Sequence, residues 1–192
     1  MDKAKARKIW WSAVLLYLVF IYATLGYAPV LWDALNEIMG GRGLALVYAA
    51  GISIILAIFL YIIFLKKEKS PAKYLLLLIF FYIFFILSKL ATFPAEKIHL
   101  LEYGILSVLL YNAFKVDLDR YDVRLYIWGS VICFLAGLID EVIQLVLPDR
   151  FFDWKDVFLN VASGITAFMI IRFNILASCQ KTLQSLRNSD KI

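Results

Sequence analysis

The single histidine of this 192-residue chain stands three positions before a glutamate and four before a tyrosine, in the run Glu96-Lys97-Ile98-His99-Leu100-Leu101-Glu102-Tyr103. On a helix those intervals set the three side chains on one face. An imidazole beside a carboxylate is the pairing that general acid–base chemistry uses. Two adjacent acids follow at Asp140-Glu141, with Gln144 one turn on, and then Asp153-Trp154-Lys155-Asp156, with Asn160 one turn beyond Asp156. Each segment therefore carries one polar stripe. The candidate catalytic groups are His99, Glu102, Asp140 and Glu141, and the candidate ligand-binding groups are Lys97, Tyr103, Gln144, Arg150, Asp153, Asp156 and Asn160.

Plainer roles compete for several of these. Asp153 suits the N-cap of a following helix and Asp156 its first turn, where negative charge is favoured. Lys97 and Lys155 can snorkel to a membrane surface. Arg150 is the nearest counter-ion in sequence and is expected to fold back over Asp140 or Glu141, because a buried carboxylate needs a charge-assisted partner. His99 with Glu102, Glu141 and Asp156 offers one nitrogen and several oxygens. A lone histidine without a His-Glu-x-x-His spacing is unspecific, so no metal is expected and no cofactor is implied. The nucleophile elbow Gly-x-Ser-x-Gly and a Gly-rich phosphate loop are both lacking.

The elements that must position these groups are helices in a lipid solvent. Hydrophobic residues make up 63% of the chain and the mean hydropathy is +0.81, more apolar surface than a soluble domain of this size can bury. Six runs are long enough to cross a bilayer: 9–27, 44–65, 74–93, 97–114, 124–147 and 157–176. None shows the ten-residue alternation of membrane strands, so the expected fold is all-α, a polytopic transmembrane helical bundle of about six spans. The first run is too long for the apolar region of a signal peptide and reads as a retained span. Counting from Pro94, Pro148 and Asp153, the helical rise puts Glu102, Asp140 and Asn160 each roughly 10–12 Å below the helix ends. The three polar stripes are thus expected to share one level and one outward-facing cavity, with Gly137, Ser163 and Gly164 letting the last two helices approach closely.

Most Lys and Arg residues cluster at the N-terminus, at Lys66–Lys73, at Lys115–Arg124 and from Arg172 onward. The net charge of +5 therefore reads as a topology signal rather than a nucleic-acid footprint, and both termini are expected to be cytoplasmic. Residues 30–39 have an amphipathic pattern with Leu31, Leu35 and Ile38 on one face, stopped by Gly40 and Gly41, and suggest a short interfacial helix. The organisation expected is one transmembrane domain over 1–176 followed by a polar cytoplasmic tail over 177–192. The two cysteines, Cys133 and Cys179, give no disulfide framework.

At these residues the sequence resembles the VanZ-like family of small bacterial membrane proteins. The resemblance rests on Glu96-Lys97-x-His99-x-x-x-Tyr103, Asp140-Glu141-x-x-Gln144, Pro148-x-Arg150, Asp153, Asp156 and Asn160, and covers about residues 88–175. One departure is Leu100, where an aromatic residue is expected after the histidine. The resemblance implies a multi-pass protein of the bacterial cell membrane, and the family's named member is associated with low-level resistance to the glycopeptide teicoplanin. Membrane lipids, and a lipid-linked envelope precursor or glycopeptide, are the implied partners.

Three functions fit these features. The first is a protein whose outward cavity binds or handles an envelope lipid or lipid-linked precursor. The second is a membrane enzyme using His99 and a carboxylate as acid and base at the outer leaflet. The third is a small proton-coupled transporter relaying through Glu102, Asp140 or Glu141.

Overall fold

The computed structural model describes residues 2–46, 71–91, 94–118, 122–148 and 150–189, with isolated positions between 49 and 64. Among them the structure is helical throughout, with no strand. The helices are α1 (Lys3–Thr24), α2 (Ala28–Ile38), α3 (Pro71–Leu90), α4 (Pro94–Phe114), α5 (Val123–Gln144) and α6 (Trp154–Ser189). Their boundaries follow local chemistry. Proline opens α3 and α4, where its missing N–H would be unsatisfied in any case. Asp122 caps α5, its side chain accepting from the Arg124 N–H at 2.9 Å. Asp153 caps α6 in the same way, accepting from the Lys155 N–H at 2.8 Å.

The amphipathic segment expected near 30–39 is α2. It ends at Gly40 and Gly41, whose φ angles of +58° and +77° lie in the left-handed region that glycine enters without a Cβ penalty. Val30, Leu31 and Ile38 stand exposed on it.

Four helices are long and apolar enough to cross a membrane: Lys3–Thr24, Lys73–Leu90, Val123–Gln144 and Trp154–Phe173. Two of the six expected spans are not among these four. The run 44–65 lies outside the described residues, apart from its first turn and isolated positions. Helix α4 is 21 residues long, but Glu96, Lys97, His99 and Glu102 fall in its first turns and lower its apolar character. Helix α6 has 36 residues, about 54 Å at the α-helical rise, so it outruns a hydrocarbon core of roughly 30 Å. Most of the segment expected as a polar tail continues it as helix.

Helix α4 lies at the centre, packed against α1, α5 and α6, while α3 leans on α6. The core joins Val14 of α1, Tyr103, Leu106 and Leu110 of α4, Leu125, Cys133 and Ala136 of α5, and Phe168 of α6. The outer surfaces of α1 and α3 expose Leu15, Leu16, Val19, Leu75, Leu78 and Phe85, the arrangement expected where the surroundings are lipid rather than water.

Candidate functional site

The start of α4, the end of α5 and the start of α6 come together at one end of the bundle, and there the polar stripes meet. His99 Nδ1 lies 2.8 Å from Glu102 Oε2 on the same helix and 3.8 Å from Asp140 Oδ2 on α5. Asn160 of α6 donates from Nδ2 to Asp140 Oδ2 at 3.4 Å. Three helices thus bring a histidine, two carboxylates and an amide to one point.

The adjacent acid turns elsewhere. Neighbours on a helix point about 100° apart, so Glu141 faces the connection into α6 while Asp140 faces its interior. Glu141 accepts from Gln144 Nε2 at 3.0 Å and, with its other oxygen, from the backbone N–H of Asp153 at 2.9 Å. Both oxygens are committed to fixing the start of α6.

These groups are enclosed rather than bathed. His99 and Glu102 are 7% and 9% exposed, Asp140 and Glu141 0% and 1%, so the groups expected to line an open cavity form an enclosed polar cluster. Within it Tyr103 Oη and Asp140 Oδ1 have no partner at hydrogen-bond geometry among the described residues. The Tyr103 and Gln144 side chains both approach the Asp140 carboxylate, but the tyrosine hydroxyl falls short of bonding geometry. A buried polar atom left without a partner costs about 1–3 kcal/mol, and a slight closing of the Tyr103 hydroxyl onto the Asp140 carboxylate would satisfy both atoms at once.

Around the cluster runs a partly exposed rim. Lys155 Nζ stands 3.7 Å from Asp156 and 4.0 Å from Asp153. Lys97 is half-buried one turn above Leu101. Arg150 departs from the sequence expectation: among the described residues it makes no ion pair with Asp140 or Glu141, and its Nη2 is buried without a hydrogen-bond partner. The reason is local, since Gln144 and the Asp153 N–H already satisfy Glu141 and Asp140 points away toward Asn160.

A family model described as VanZ/LLP1 matches residues 5–177. The chain belongs to the VanZ/LLP1 family. That match reaches back through α1 and α2, well beyond the motif-bearing stretch of about 88–175. Comparison with curated proteins and with solved structures gives no match.

The wider VanZ/LLP1 match agrees with a contribution that the motifs alone do not reveal. Tyr22 of α1 donates to the Ala136 carbonyl at 3.2 Å and lies within electrostatic reach of Asp140, as Tyr17 does of Glu102. The only sequence signal for them is a hydroxyl repeated on an apolar helix. Ser163, expected to ease contact between α5 and α6, instead donates to the Leu100 carbonyl and ties α6 to α4. Gly137 and Gly164 behave as expected: a Cβ on Gly137 would stand 3.4 Å from Asn160 Cβ, and one on Gly164 3.0 Å from Cys133 Sγ. Among the described residues no group of three His, Cys, Asp or Glu side chains is arranged to hold a metal ion.

Proposed function

We propose that this VanZ/LLP1 membrane protein binds the polar headgroup of an envelope lipid or lipid-linked precursor at the α4–α5–α6 cluster, from the outer leaflet. The observation that carries this reading is the convergence of His99, Glu102, Asp140 and Asn160 at the meeting point of three helices in a bundle whose flanks are apolar. Buried polar groups in a membrane protein are costly and are retained where they meet a ligand or a relay. A headgroup bearing hydrogen-bond donors meets the polar cluster, and its acyl chains lie along the exposed apolar faces. The test is retention of lipid by purified protein through exchange into fresh detergent, read by native mass spectrometry. Wild-type protein is expected to keep bound lipid and Asp140→Asn to lose it. A variant that keeps as much lipid as the wild type removes the basis for the proposal. Because the family's named member is associated with low-level teicoplanin resistance, the matching cellular readout is loss of teicoplanin tolerance in the same variant.

One observation favours a second reading, in which the bound headgroup is chemically altered. His99 sits between two carboxylates, 2.8 Å from Glu102 and 3.8 Å from Asp140, a geometry that orients an imidazole for proton transfer. Incubation with labelled envelope lipids then yields a new product that His99→Gln protein does not make. Binding without turnover leaves the first reading alone.

A further inference from the structure

Helix α1 divides its basic residues between two faces. Lys3 and Arg7 lie on the face that packs into the bundle through Val14, Ile21 and Leu25. There Arg7 Nε donates to Asp117 Oδ2 at 2.8 Å, and Lys3 Nζ stands 3.7 Å from Asp117 Oδ1. Lys5 and Lys8 lie on the opposite face, exposed, and among the described residues neither has an ion pair. Asp2, at the N-cap, makes no capping hydrogen bond with its side chain and pairs with neither lysine. Below the two lysines the same face carries Ile9, Leu15, Leu16, Val19 and Phe20, between 46% and 70% exposed. Their intervals of three, four and seven keep one side of a helix turned outward. Two unneutralised ammonium groups thus stand at the head of an outward apolar stripe.

We propose that this face of α1 binds an anionic phospholipid of the surrounding leaflet, its phosphate between Lys5 and Lys8 and its acyl chains along Leu15, Leu16, Val19 and Phe20. Residues three apart on a helix have Cβ atoms about 5–6 Å apart, so both ammonium groups reach the oxygens of one phosphate. From Lys8 to Val19 the helical rise covers roughly 16 Å, and one leaflet supplies about half of a hydrocarbon core of roughly 30 Å. The head and chains of one lipid therefore match the length of the stripe. Charge selects the lipid class: a net-negative headgroup neutralises the lysine pair, whereas a zwitterionic one brings a cation of its own. A parallel second copy packed on this face would set the same two lysines against each other, and like charges in an interface are costly. The site lies at the Asp117 end of the bundle, away from the α4–α5–α6 cluster, and does not depend on the headgroup reading.

The experiment titrates lipids back onto protein exchanged into fresh detergent and reads their dissociation constants by native mass spectrometry. Phosphatidylglycerol is set against phosphatidylcholine of the same chains, which keeps the phosphate but cancels its charge. Soluble glycerol 3-phosphate keeps the anion and lacks the chains. Phosphatidylglycerol is expected to bind about thirtyfold more tightly than phosphatidylcholine, at about fivefold for each lysine near the membrane surface, and glycerol 3-phosphate to show no binding. Lys5→Gln and Lys8→Gln each remove about fivefold of that preference and the double variant removes all of it, with melting temperatures unchanged because both side chains are exposed and unpaired. Lys3→Gln, on the bundle face, keeps the preference. A double variant that still prefers phosphatidylglycerol overturns the lysine pair, and so does a Lys3→Gln loss as large as that of Lys5→Gln, which marks a diffuse field instead of a site. Equal binding of glycerol 3-phosphate overturns the lipid in favour of a free anion. A dimer carrying no anionic lipid overturns the lipid in favour of a second copy.

Discussion

Asp140 and Glu141 are neighbours in sequence with opposite duties. Glu141 is a clamp, since its two oxygens hold the Gln144 amide and the Asp153 N–H. Asp140 instead accepts from Asn160 with one oxygen and, among the described residues, has no partner at hydrogen-bond geometry on the other. Replacing Glu141 by Gln keeps an acceptor for the Asp153 N–H, and a flip of the Gln144 amide accepts the new NH₂ group, so only the charge assistance is lost, about 1 kcal/mol. Glu141→Ala removes both acceptors and leaves a void, at a cost of about 2–4 kcal/mol. Asp140→Asn replaces a fully enclosed carboxyl group with an amide of the same shape that keeps an acceptor for Asn160, and is expected to leave stability equal or raised, because burying an incompletely hydrogen-bonded carboxylate opposes folding. Thermal unfolding of the three variants in one detergent gives the order Glu141→Ala least stable, then Glu141→Gln, with Asp140→Asn at or above wild type. An Asp140→Asn protein less stable than Glu141→Ala reverses the two assignments.

Small residues set how closely the site-bearing helices approach. A Cβ on Gly129 would stand 2.3 Å from the buried Phe168 ring, which also packs edge-on against Tyr126 with centroids 6.0 Å apart. The ring cannot yield without disturbing that contact. Gly129→Ala is therefore expected to cost about 1–3 kcal/mol and to weaken ligand binding at a distance by moving Asn160 relative to Asp140. At the opposite end of the bundle Arg7 of α1 pairs with Asp117 between α4 and α5, with Lys3 at 3.7 Å. Hydrogen bonds from Arg7 hold the Asp117 carboxyl below its ordinary range, and those from the Arg124 side chain and N–H do the same for Asp122. A lowered folded pKa gives stability that is present above the ordinary carboxylate value, roughly 4, and is lost as pH falls through the lowered one. The gap in melting temperature between wild type and Asp117→Asn should accordingly be small, since the pair is exposed, present at pH 7, and absent once Asp117 is protonated. A gap independent of pH would mean that Asp117 acts through packing instead. Spacing alone made much of this visible, because an i,i+3 or i,i+4 interval fixes the shared face on any helix. His99 with Glu102, the level shared by Asp140 and Asn160, and the cap at Asp153 were all readable in that way. Contacts between helices were not, because they depend on rotation about each axis: Gly129 against Phe168, Ser163 reaching Leu100, Tyr22 reaching Ala136 and the missing Arg150 ion pair have no periodic signature.

For the molecule as a whole, the side to which the cluster opens decides what it can meet. The two ends differ in charge. Lys3, Arg7, Lys115 and Arg124 lie near the Asp117 end, where Lys115 also caps the Tyr111 ring at 5.3 Å. The site end holds Glu102, Asp140, Glu141, Asp153 and Asp156. Cytoplasmic segments retain Lys and Arg during insertion, and on that ground we propose that the basic end lies inside and the cluster faces out. Labelling with a membrane-impermeant maleimide tests this in intact cells carrying Cys179→Ser, the enclosed Cys133 being protected by burial. A cysteine replacing Phe151, 84% exposed in the loop beside the cluster, is expected to label without permeabilisation. One replacing Lys3 should label only after it. The reverse pattern turns the polar cluster toward the cytoplasm, where envelope precursors on the outer leaflet cannot reach it, and the binding reading would then have to be rebuilt around an inner-leaflet ligand.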